Sequence, residues 1–398
     1  MTELLAPAGS LENLYWACAY GADAVYFGLQ KFSLRSFAGN LTLEESDIGL
    51  KYLKSLGKKG YAALNIYPFS DEYNDLKELA GNLNEQGIDA FIASDIGVIG
   101  MLRKEFPQIP VHVSTQANTV SAQTALFYKD LGVKRVNLAR ELSLEQIQDI
   151  MRRIGEQIET EVFIHGSVCF SYSGRCAISD YLSSRGGNRG ECAQSCRWKY
   201  FLMEEKRPGE YMPVYEDERG AYILNSKDLA LYSFMPQLSD YGVSSFKIEG
   251  RMKSIHYVSS VLAVYRALLD GKKLSQEKID RNLSRISNRG YTHGFMKGLN
   301  APEDYRREGG YISTSLFLAN TLPETVGNMR KCLAKGTVNA GEELEVLTPS
   351  GEIFTYKLPE KLLTDEGTEL DVVQNSQIIL LPCEDVPDYS ILRRVKLV

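Results

Sequence analysis

The amino-acid sequence predicts an α/β fold: a (β/α)8, TIM-like barrel with a cysteine-rich insertion between strands seven and eight, then a small C-terminal β-barrel-like domain. The first 250 residues alternate between short, continuous apolar runs and amphipathic stretches. Eight such runs occur, and continuous runs are typical of parallel strands that are buried on both faces. From about residue 325 onward, short strand-like runs and turn residues replace the alternation. A doubly wound open sheet is the alternative for the first part.

The eight apolar runs are the predicted barrel strands. They are Glu3–Ala6, Ala24–Gly28, Gly60–Ile66, Ala90–Ser94, Val111–Thr115, Arg135–Ala139, Glu161–His165 and Ser245–Glu249. Helix-like stretches separate them, and two of these begin with a capping-box pattern, Thr42 with Glu45 and Ser143 with Gln146. In a barrel of this kind, the loops that follow the strands form the functional face.

The alternation breaks after the seventh run. Residues 166–243 are too many for one strand–helix unit, so they are predicted to be an insertion between strands seven and eight. The barrel with this insertion is predicted to cover residues 1–270. A helical or irregular connector is predicted for residues 271–324, and the small β domain for residues 325–398.

Composition and charge limit the class of protein. The chain has 398 residues, of which 44% are hydrophobic and 24% are charged, as in ordinary globular proteins. No apolar run approaches the roughly 20 residues of a membrane-spanning helix, and the N-terminus lacks the pattern of a signal peptide. We therefore expect a cytoplasmic protein that does not associate with membranes. The net charge of −6 argues against broad binding of polyanions but allows a local basic face.

Four of the seven cysteines crowd into residues 169–196, in the pattern Cys169-x6-Cys176-x15-Cys192-x3-Cys196. In a cytoplasmic chain, such crowding indicates metal binding or catalysis rather than disulfides. Four thiolates are the usual ligands of a [4Fe–4S] cluster, whereas structural zinc sites favour closer pairs in both halves. Zinc and inert buried thiols are the alternatives. The scattered cysteines are expected to be ordinary buried thiols: Cys18, Cys332 and Cys383.

Basic and aromatic residues are interleaved around these cysteines. The basic ones are Arg175, Arg185, Arg189, Arg197 and Lys199, and the aromatic ones are Phe170, Tyr172, Tyr181, Trp198 and Tyr200. This combination is typical of a groove that binds nucleic acid, and local positive charge also favours thiolate over thiol. A solvated cationic loop above a small aromatic core is the competing interpretation.

Polar residues at predicted strand ends are candidates for catalysis because they interrupt apolar strands on the functional face. The leading candidates are Arg140, His165, Glu249 and Arg251, and weaker ones are Ser114, Gln116 and Lys247. Two arginines can clamp the carboxylates of a small acid in bidentate fashion. Alternatively, Arg140–Glu141 and Lys247–Glu249 belong to buried ion-pair networks that only brace the barrel.

These residues carry a resemblance to the family known as peptidase U32. The signature is Glu161-x-Phe163-x-x-Gly166-Ser167-Val168-Cys169-x4-Gly174-x-Cys176-x-Ile178-Ser179. Further matching segments are 114–118, 138–142, 189–200, 246–253 and 288–294, so that the resemblance covers roughly residues 3–300. Within the family, the chain is most similar to a branch of tRNA hydroxylation proteins.

The resemblance implies a function and its cofactor. Members of that branch form 5-hydroxyuridine at the wobble position of tRNA, independently of O2 and dependent on prephenate. By this resemblance, Cys169, Cys176, Cys192 and Cys196 are the ligands of a [4Fe–4S] cluster, and tRNA and a prephenate-like carboxylic acid are the expected partners. Two alternatives stay open: a peptidase, as the family name and its collagenase-like relatives imply, and a non-catalytic cluster protein that assists a partner hydroxylase.

The residues themselves weigh against a protease. The sequence contains neither His-Glu-x-x-His nor Gly-x-Ser-x-Gly. His165 lies four residues before Cys169, which makes a Cys–His pair conceivable. That pair leaves the other three nearby cysteines without a role. Hydroxylation of a pyrimidine instead requires a redox centre, which amino-acid side chains alone supply poorly.

Overall fold

The computed structural model describes residues 2–33, 39–168, 227–298 and 311–396, together with the backbone of several short strands between residues 201 and 226 and at 305–306. Two compact units divide the chain. The first contains Met1–Cys18, Ala22–Lys253 and Arg289–Tyr311, and the second contains Ala19–Gly21, Ser254–Asn288 and Ile312–Val398.

Strands and helices alternate through most of the first unit. Its strands are β1 Glu3–Ala8, β2 Ala24–Gly28, β3 Lys59–Leu64, β4 Ala90–Ala93, β5 Val111–Val113, β6 Arg135–Asn137, β7 Glu159–Ser167, β8 Phe201–Met203, β9 Tyr211–Pro213, β10 Tyr215–Asp217, β11 Gly220–Tyr222, β12 Asn225–Ser226, β13 Asp228–Ala230, β14 Ser245–Ile248, β15 Tyr291–Thr292 and β16 Tyr305–Arg306. Its helices are α1 Leu11–Ala19, α2 Leu43–Ser55, α3 Tyr73–Glu85, α4 Ile96–Glu105, α5 Ala122–Asp130, α6 Leu144–Ile154 and α7 Met235–Asp240.

The predicted barrel is confirmed. Strands β1 to β7 pair in parallel in chain order, and β14 pairs in parallel with both β1 and β7, which closes a ring of eight strands. Every residue of β2 is buried, as expected for a strand covered on both faces. Side chains of alternate residues fill the interior, including Leu5, Tyr26, Tyr61 and Ile92.

Both capping boxes that the sequence predicts are present. Thr42 accepts a hydrogen bond from the Glu45 amide, and the Glu45 carboxylate accepts one from the Thr42 amide. Ser143 and Gln146 make the same reciprocal pair at the start of α6. Each cap satisfies amides that have no partner inside the helix and contributes about 1 kcal/mol of stability.

The chain between β7 and β14 rejoins the barrel sheet at β13, before β14 begins. Strand β13 pairs antiparallel with the end of β7, so that Asp228 lies opposite Ser167 and Ala230 opposite His165. Strand β15 then adds in parallel to β13. Helix α7 follows β13 and precedes β14, as the helix of the seventh strand–helix unit does in a barrel. Barrel elements therefore extend into both ends of the predicted insertion, residues 166–243.

The second unit is built on an antiparallel sheet. Its six main strands have the order β21-β20-β26-β17-β18-β25. The strands are β17 Ser315–Val326, β18 Met329–Ala334, β19 Val338–Asn339, β20 Glu343–Leu347, β21 Ile353–Lys357, β22 Leu362–Leu363, β23 Glu369–Leu370, β24 Val372–Val373, β25 Ile378–Pro382 and β26 Ile391–Val395, and the helices are α8 Ile255–Leu269 and α9 Gln276–Arg285. The small β domain that the sequence predicts is thus present.

The unit boundaries differ from the predicted domain bounds at 270 and 325. The second unit includes α8, and its first sheet strand already begins at Ser315. Helix α8 is buried along most of its length. Its polar residues His256 and Ser260 can be buried because both hydrogen-bond the guanidinium of Arg393 on β26. Amphipathic spacing cannot reveal such a polar contact with a distant strand.

Three further expectations concern cysteines and membranes. Cys18 and Cys332 are buried thiols, as predicted, whereas Cys383 is half-exposed. Burial raises the pKa of the Cys18 thiol to about 11 and that of Cys332 to about 12, so both stay protonated at neutral pH. Within the described ranges, no helix combines the length and the apolar character that crossing a bilayer requires.

Candidate active site at the barrel mouth

The end of β7 gathers three of the four leading candidates. The backbone carbonyl of His165 accepts a hydrogen bond from the Glu249 amide at 2.9 Å, just after β14 ends. Two residues after His165 on β7, the carbonyl of Ser167 accepts a hydrogen bond of 2.7 Å from Nη1 of Arg140, which lies in the loop after β6. Candidates from three strands therefore meet at the carboxyl ends of β6, β7 and β14, which is the face where barrels bind substrates.

Arg140 is held by neutral groups. Its guanidinium carbon lies 4.1 Å from the centre of the Phe163 ring, in a cation–π arrangement. Its Nε atom is buried and has no hydrogen-bond partner among the described residues. The alternative of an Arg140–Glu141 ion pair finds no support, since no carboxylate in the described part of the chain forms a salt bridge with Arg140. The guanidinium keeps donors for an anionic ligand.

Arg251 enters the barrel mouth from the loop after β14 and is buried. Its Nη1 donates a hydrogen bond of 2.5 Å to the hydroxyl of Ser33. Gly28, at the end of β2, leaves room for this guanidinium: a Cβ there would lie 2.1 Å from Nη1 of Arg251 and 2.3 Å from the Ser33 hydroxyl. The Arg251 backbone carbonyl likewise lies where a Cβ on Gly9 would be, at 1.9 Å. Two strand-end glycines thus accommodate one arginine.

His165 is a buried, neutral imidazole. Burial lowers its pKa most strongly, Asp228 opposes this and nearby Lys253 adds to it, so that the pKa lies at about 3. The ring lies 5.5 Å from that of Tyr291. An imidazole with so low a pKa is a poor proton acceptor at neutral pH, so the site does not favour the Cys–His pair of a protease.

A buried ion pair braces this side of the mouth. Nε and Nη2 of Arg289 donate to one carboxylate oxygen of Asp228 at 3.1 and 2.7 Å, and the Arg289 amide donates to the other at 3.2 Å. Burial would raise the pKa of Asp228, but Arg289 and Lys253 outweigh it and hold the pKa below its ordinary value. Sequence reasoning missed this pair as part of the site, although Arg289 lies in one of the matched segments.

Below the mouth, a charged network crosses the barrel interior. The Lys247 ammonium donates to Glu161 at 2.7 Å and lies 4.4 Å from the centre of the Tyr26 ring. Asn137 donates to the same Glu161 oxygen at 2.6 Å. Lys247 therefore lies in a buried ion-pair network, as the alternative interpretation holds, and its partner there is Glu161. Glu249 accepts a hydrogen bond from the Tyr26 hydroxyl at 3.3 Å.

The ends of β3, β4 and β5 carry a neutral polar cluster, which we call the amide shelf: Asn65, Ser94, Ser114 and Gln116. The Asn65 side-chain amide donates to Oε1 of Gln116 at 2.5 Å. The hydroxyls of Ser94 and Ser114 approach the same oxygen at 3.3 and 3.4 Å. The sequence pointed to Ser114 and Gln116 but not to Asn65 and Ser94, whose only signal is their position at the end of a predicted strand.

The four clustered cysteines, Cys169, Cys176, Cys192 and Cys196, lie outside the described residues, and so does most of the basic and aromatic segment around them. Strand β7 ends at Ser167, two positions before Cys169 in the sequence. Among the residues that the structure does describe, no group of three or more His, Cys, Asp or Glu side chains is placed to hold a metal. The donor set of four thiols suits an iron–sulfur cluster, and it also suits zinc.

Known proteins are similar to this chain over most of its length. Residues 9–306 match the model of Peptidase family U32, and residues 316–393 match that of the Peptidase family U32 C-terminal domain. The chain is 37% identical to tRNA hydroxylation protein P of Escherichia coli (strain K12), over 89% of this chain and 88% of that protein. It is 36% identical to the 23S rRNA 5-hydroxycytidine C2501 synthase of the same organism, over 74% of this chain and 42% of that protein. It is 29% identical to a protein of Porphyromonas gingivalis named collagenase, over 90% of this chain and 89% of that protein.

Proposed function

The chain belongs to peptidase family U32, and from that premise we propose that it is an iron–sulfur-dependent enzyme that hydroxylates uridine in tRNA. The product is 5-hydroxyuridine at the wobble position, formed without O2 and with prephenate as co-substrate. The observation that carries this proposal is the 37% identity, over 89% of the chain, to a relative named for tRNA hydroxylation. The relative named for hydroxycytidine synthesis in rRNA supports RNA hydroxylation more generally.

The two arginines at the barrel mouth suit an acidic co-substrate. Prephenate carries two carboxylates, and Arg140 and Arg251 end neighbouring parts of the ring, after β6 and β14 on either side of β7. Arg140 has a buried Nε without a partner in the described part of the chain. Charge-assisted hydrogen bonds from guanidinium to carboxylate are among the strongest in proteins, so this pair can bind and orient the acid.

The neutral His165 and the carboxylate Glu249 complete the proposed set of catalytic residues. The backbone hydrogen bond between them fixes their relative position at the ends of β7 and β14. Glu249 also accepts a hydrogen bond from the Tyr26 hydroxyl, which restricts the orientation of its carboxylate. A neutral imidazole can donate or accept one hydrogen bond without carrying charge, which suits a site beside two cationic groups.

The cluster would be held by Cys169, Cys176, Cys192 and Cys196, and when bound it supplies electron transfer that the side chains cannot. The thiols fit this group chemically, because four thiolates are the usual ligands of a [4Fe–4S] cluster. The basic and aromatic composition of the same segment suits an RNA partner. tRNA is therefore the proposed macromolecular substrate, in the cytoplasm.

Two other functions are separable by experiment. A peptidase of the collagenase type corresponds to the name of one relative, but the low pKa of His165 disfavours activation of a cysteine nucleophile. A non-catalytic cluster protein would show tRNA hydroxylation only when a partner hydroxylase is present. Purified protein that acts alone on tRNA distinguishes the enzyme from this helper.

The test is deletion of the gene in the source organism, followed by mass spectrometry of nucleosides from bulk tRNA. We expect 5-hydroxyuridine and its derivatives to disappear and to return with the wild-type gene but not with Cys176→Ala. Cys383→Ala is the matched control, because this half-exposed thiol belongs to the second unit and should restore the nucleoside fully. Unchanged tRNA in the deletion strain, together with cleavage of collagen or casein by the purified protein, would reverse the assignment.

The cofactor is tested separately on anaerobically purified protein. We expect about four iron and four sulfide per chain in the wild type and a marked loss of both in Cys176→Ala. Colourless protein that contains stoichiometric zinc and is fully active would eliminate the cluster while leaving the hydroxylase assignment standing.

A further inference from the structure

The amide shelf directs three donors at one oxygen. Oε1 of Gln116 lies 2.5 Å from the Asn65 amide nitrogen, 3.3 Å from the Ser94 hydroxyl and 3.4 Å from the Ser114 hydroxyl. With the Asn65 amide nitrogen directed at Gln116, the oxygen is the end of the Gln116 amide that faces the shelf, because a flipped Gln116 would face that donor with another donor. Nε2 is therefore turned away from the shelf partners.

That Nε2 group is a buried donor, and no acceptor within the described ranges receives its hydrogen bonds. Gln116 is only 6% exposed, and its Nε2 has no hydrogen-bond partner among the described residues. Two neighbours in the same turn repeat the pattern, since Oγ1 of Thr115 and Oδ1 of Asn118 are buried without partners in the described chain. Buried polar groups in native proteins almost always have partners, so this cluster indicates a ligand or ordered water.

The shelf lies opposite Arg251 in the barrel mouth, whereas Arg140 follows β6, next to the β5 end of the shelf. In the closed ring of eight strands, β4 is four positions from β14 in either direction. The shelf residues follow β3, β4 and β5, whereas His165 lies on β7 and Glu249 and Arg251 follow β14. The ends of β3 to β5 therefore present neutral amides and hydroxyls, and the rest of the ring carries both arginines. An acid is drawn to the arginines, and a neutral hydrogen-bonding ligand suits the amide shelf.

We propose that Gln116 is a specificity-determining residue, which rests on the proposed function: its Nε2 donates to the O4 carbonyl of the target uracil. The C4 position is where the two pyrimidines differ, because uracil presents a carbonyl acceptor there and cytosine an amino donor. Nε2 complements the first and opposes the second. The amide shelf holds the Gln116 side chain so that this choice is made by a fixed donor.

The backbone of Gln116 is held as firmly as its side chain. The Tyr67 hydroxyl donates to the Gln116 carbonyl at 3.1 Å, and the Gln116 amide donates to the Ser114 hydroxyl at 3.4 Å. A donor that discriminates between bases must not rotate to serve either one. These contacts from the loops after β3 and β5 supply that rigidity.

The test compares two tRNA substrates that differ only by uridine or cytidine at the target position. For each we measure kcat/KM with the wild type, Gln116→Glu, Gln116→Met and a control, Gln148→Glu, which makes the same chemical change on the exposed face of α6. Gln116→Glu replaces the donor with an acceptor, so we expect the cytidine-to-uridine ratio to rise by about 10-fold or more. Gln116→Met should lower activity on uridine and lose most of the discrimination, and Gln148→Glu should match the wild type.

Equal losses on both substrates in Gln116→Glu and Gln116→Met would overturn the inference, because a merely structural glutamine lowers activity without changing base preference. So would an unchanged ratio at full activity, which would mean that water satisfies Nε2. If Gln116→Glu does not fold, as judged by circular dichroism, Gln116→Met carries the test. Wild-type protein that hydroxylates neither tRNA removes the proposed function itself, an outcome distinct from active wild type with unaltered selectivity in the variants.

Discussion

Two arginines in different parts of the molecule are held in opposite ways. Arg393, in the second unit, is fully buried and meets the Glu345 carboxylate at 2.8 Å, and Arg281 and Arg285 bind the same carboxylate. Arg140, at the barrel mouth, contacts a backbone carbonyl and an aromatic ring and has no carboxylate partner in the described chain. A buried cation that the fold already neutralises is structural, whereas one without an anion is available to bind a ligand.

The electrostatics of the second unit agree with a structural role. Burial lowers the pKa of Arg393 to about 10, although Glu345 opposes this, so the guanidinium remains charged at neutral pH. Burial would raise the pKa of Glu345, but its arginine partners lower it to about 2. Serine, asparagine and histidine side chains satisfy the remaining donors of Arg393. The charge and the donors of Arg393 are thus all met inside its own unit.

The largest expected effect is the loss of stability when Arg393, the arginine paired with Glu345, is replaced. Arg393→Met leaves Glu345 with less compensation and several buried polar groups without a partner, so we expect the free energy of unfolding to fall by about 3–5 kcal/mol. Urea denaturation monitored by circular dichroism measures this. Arg152→Met is the control, since Arg152 forms only an exposed pair with Asp149 on α6, and its stability should be nearly unchanged. A loss for Arg393→Met no larger than for this control would contradict the structural role.

Each unit also contains a buried histidine, and acid should destabilise both. Burial lowers the pKa of His165 and of His256 to about 3, below the unfolded value near 6.5. The unfolded chain then binds protons that the folded chain does not, so stability is full above pH 6.5 and falls as the pH drops toward 3. Between pH 6.5 and 5, each histidine should remove about 2 kcal/mol.

The measurement is urea denaturation at both pH values for the wild type, His165→Gln and His256→Gln. Each variant should lose its own share of the pH dependence. An identical pH dependence in the wild type and both variants would show that these imidazoles are not the groups that titrate.

Replacing Arg140, which has no carboxylate partner in the described chain, should affect activity rather than stability. Arg140→Met removes charge-assisted hydrogen bonds to a carboxylate, so we expect kcat/KM for the acid co-substrate to fall by about 10- to 100-fold. Stability should change by less than about 1 kcal/mol, because no carboxylate in the described part of the chain pairs with Arg140 and would be left without its cation. Steady-state kinetics at varied prephenate concentration, beside urea denaturation, checks both parts. A large loss of stability with an unchanged KM for the acid would place Arg140 with Arg393 as a structural residue.

The smallest expected effect comes from a substitution at Gly28 that displaces the side chain of Arg251 and leaves Arg251 itself unchanged. Gly28→Ala puts a Cβ where Nη1 of Arg251 lies, so the guanidinium must shift, and we expect activity to fall by about 10-fold with the fold retained. Gly100→Ala on α4 is the matched control, because its Cβ would meet nothing within 4 Å. Activity of Gly28→Ala equal to that of Gly100→Ala would show that the position of Arg251 is not critical.

Sequence reasoning predicted the barrel because its signals are local. Continuous apolar runs, a cap such as Thr42 with Glu45, and the polar ends of strands are each readable within a few residues. The same signals located Arg140, His165, Glu249 and Arg251 at the functional face. The role of the four cysteines stays a prediction, based on their spacing and on the family signature.

The contacts between groups that are distant in the sequence depend on the tertiary structure. The carboxylate that pairs with Lys247 is Glu161 on the neighbouring strand, not Glu249 two residues along the chain, because alternate residues of parallel strands face the interior at heights set by register. The antiparallel return of β13, the Asp228–Arg289 pair and the convergence on Gln116 have the same origin. From the amino-acid sequence, each barrel strand can be located to within a few residues, together with the polar residues near its end. The closure of the ring decides which of those residues lie close together, because pairing across the barrel depends on strand order and register and leaves no local trace in the sequence.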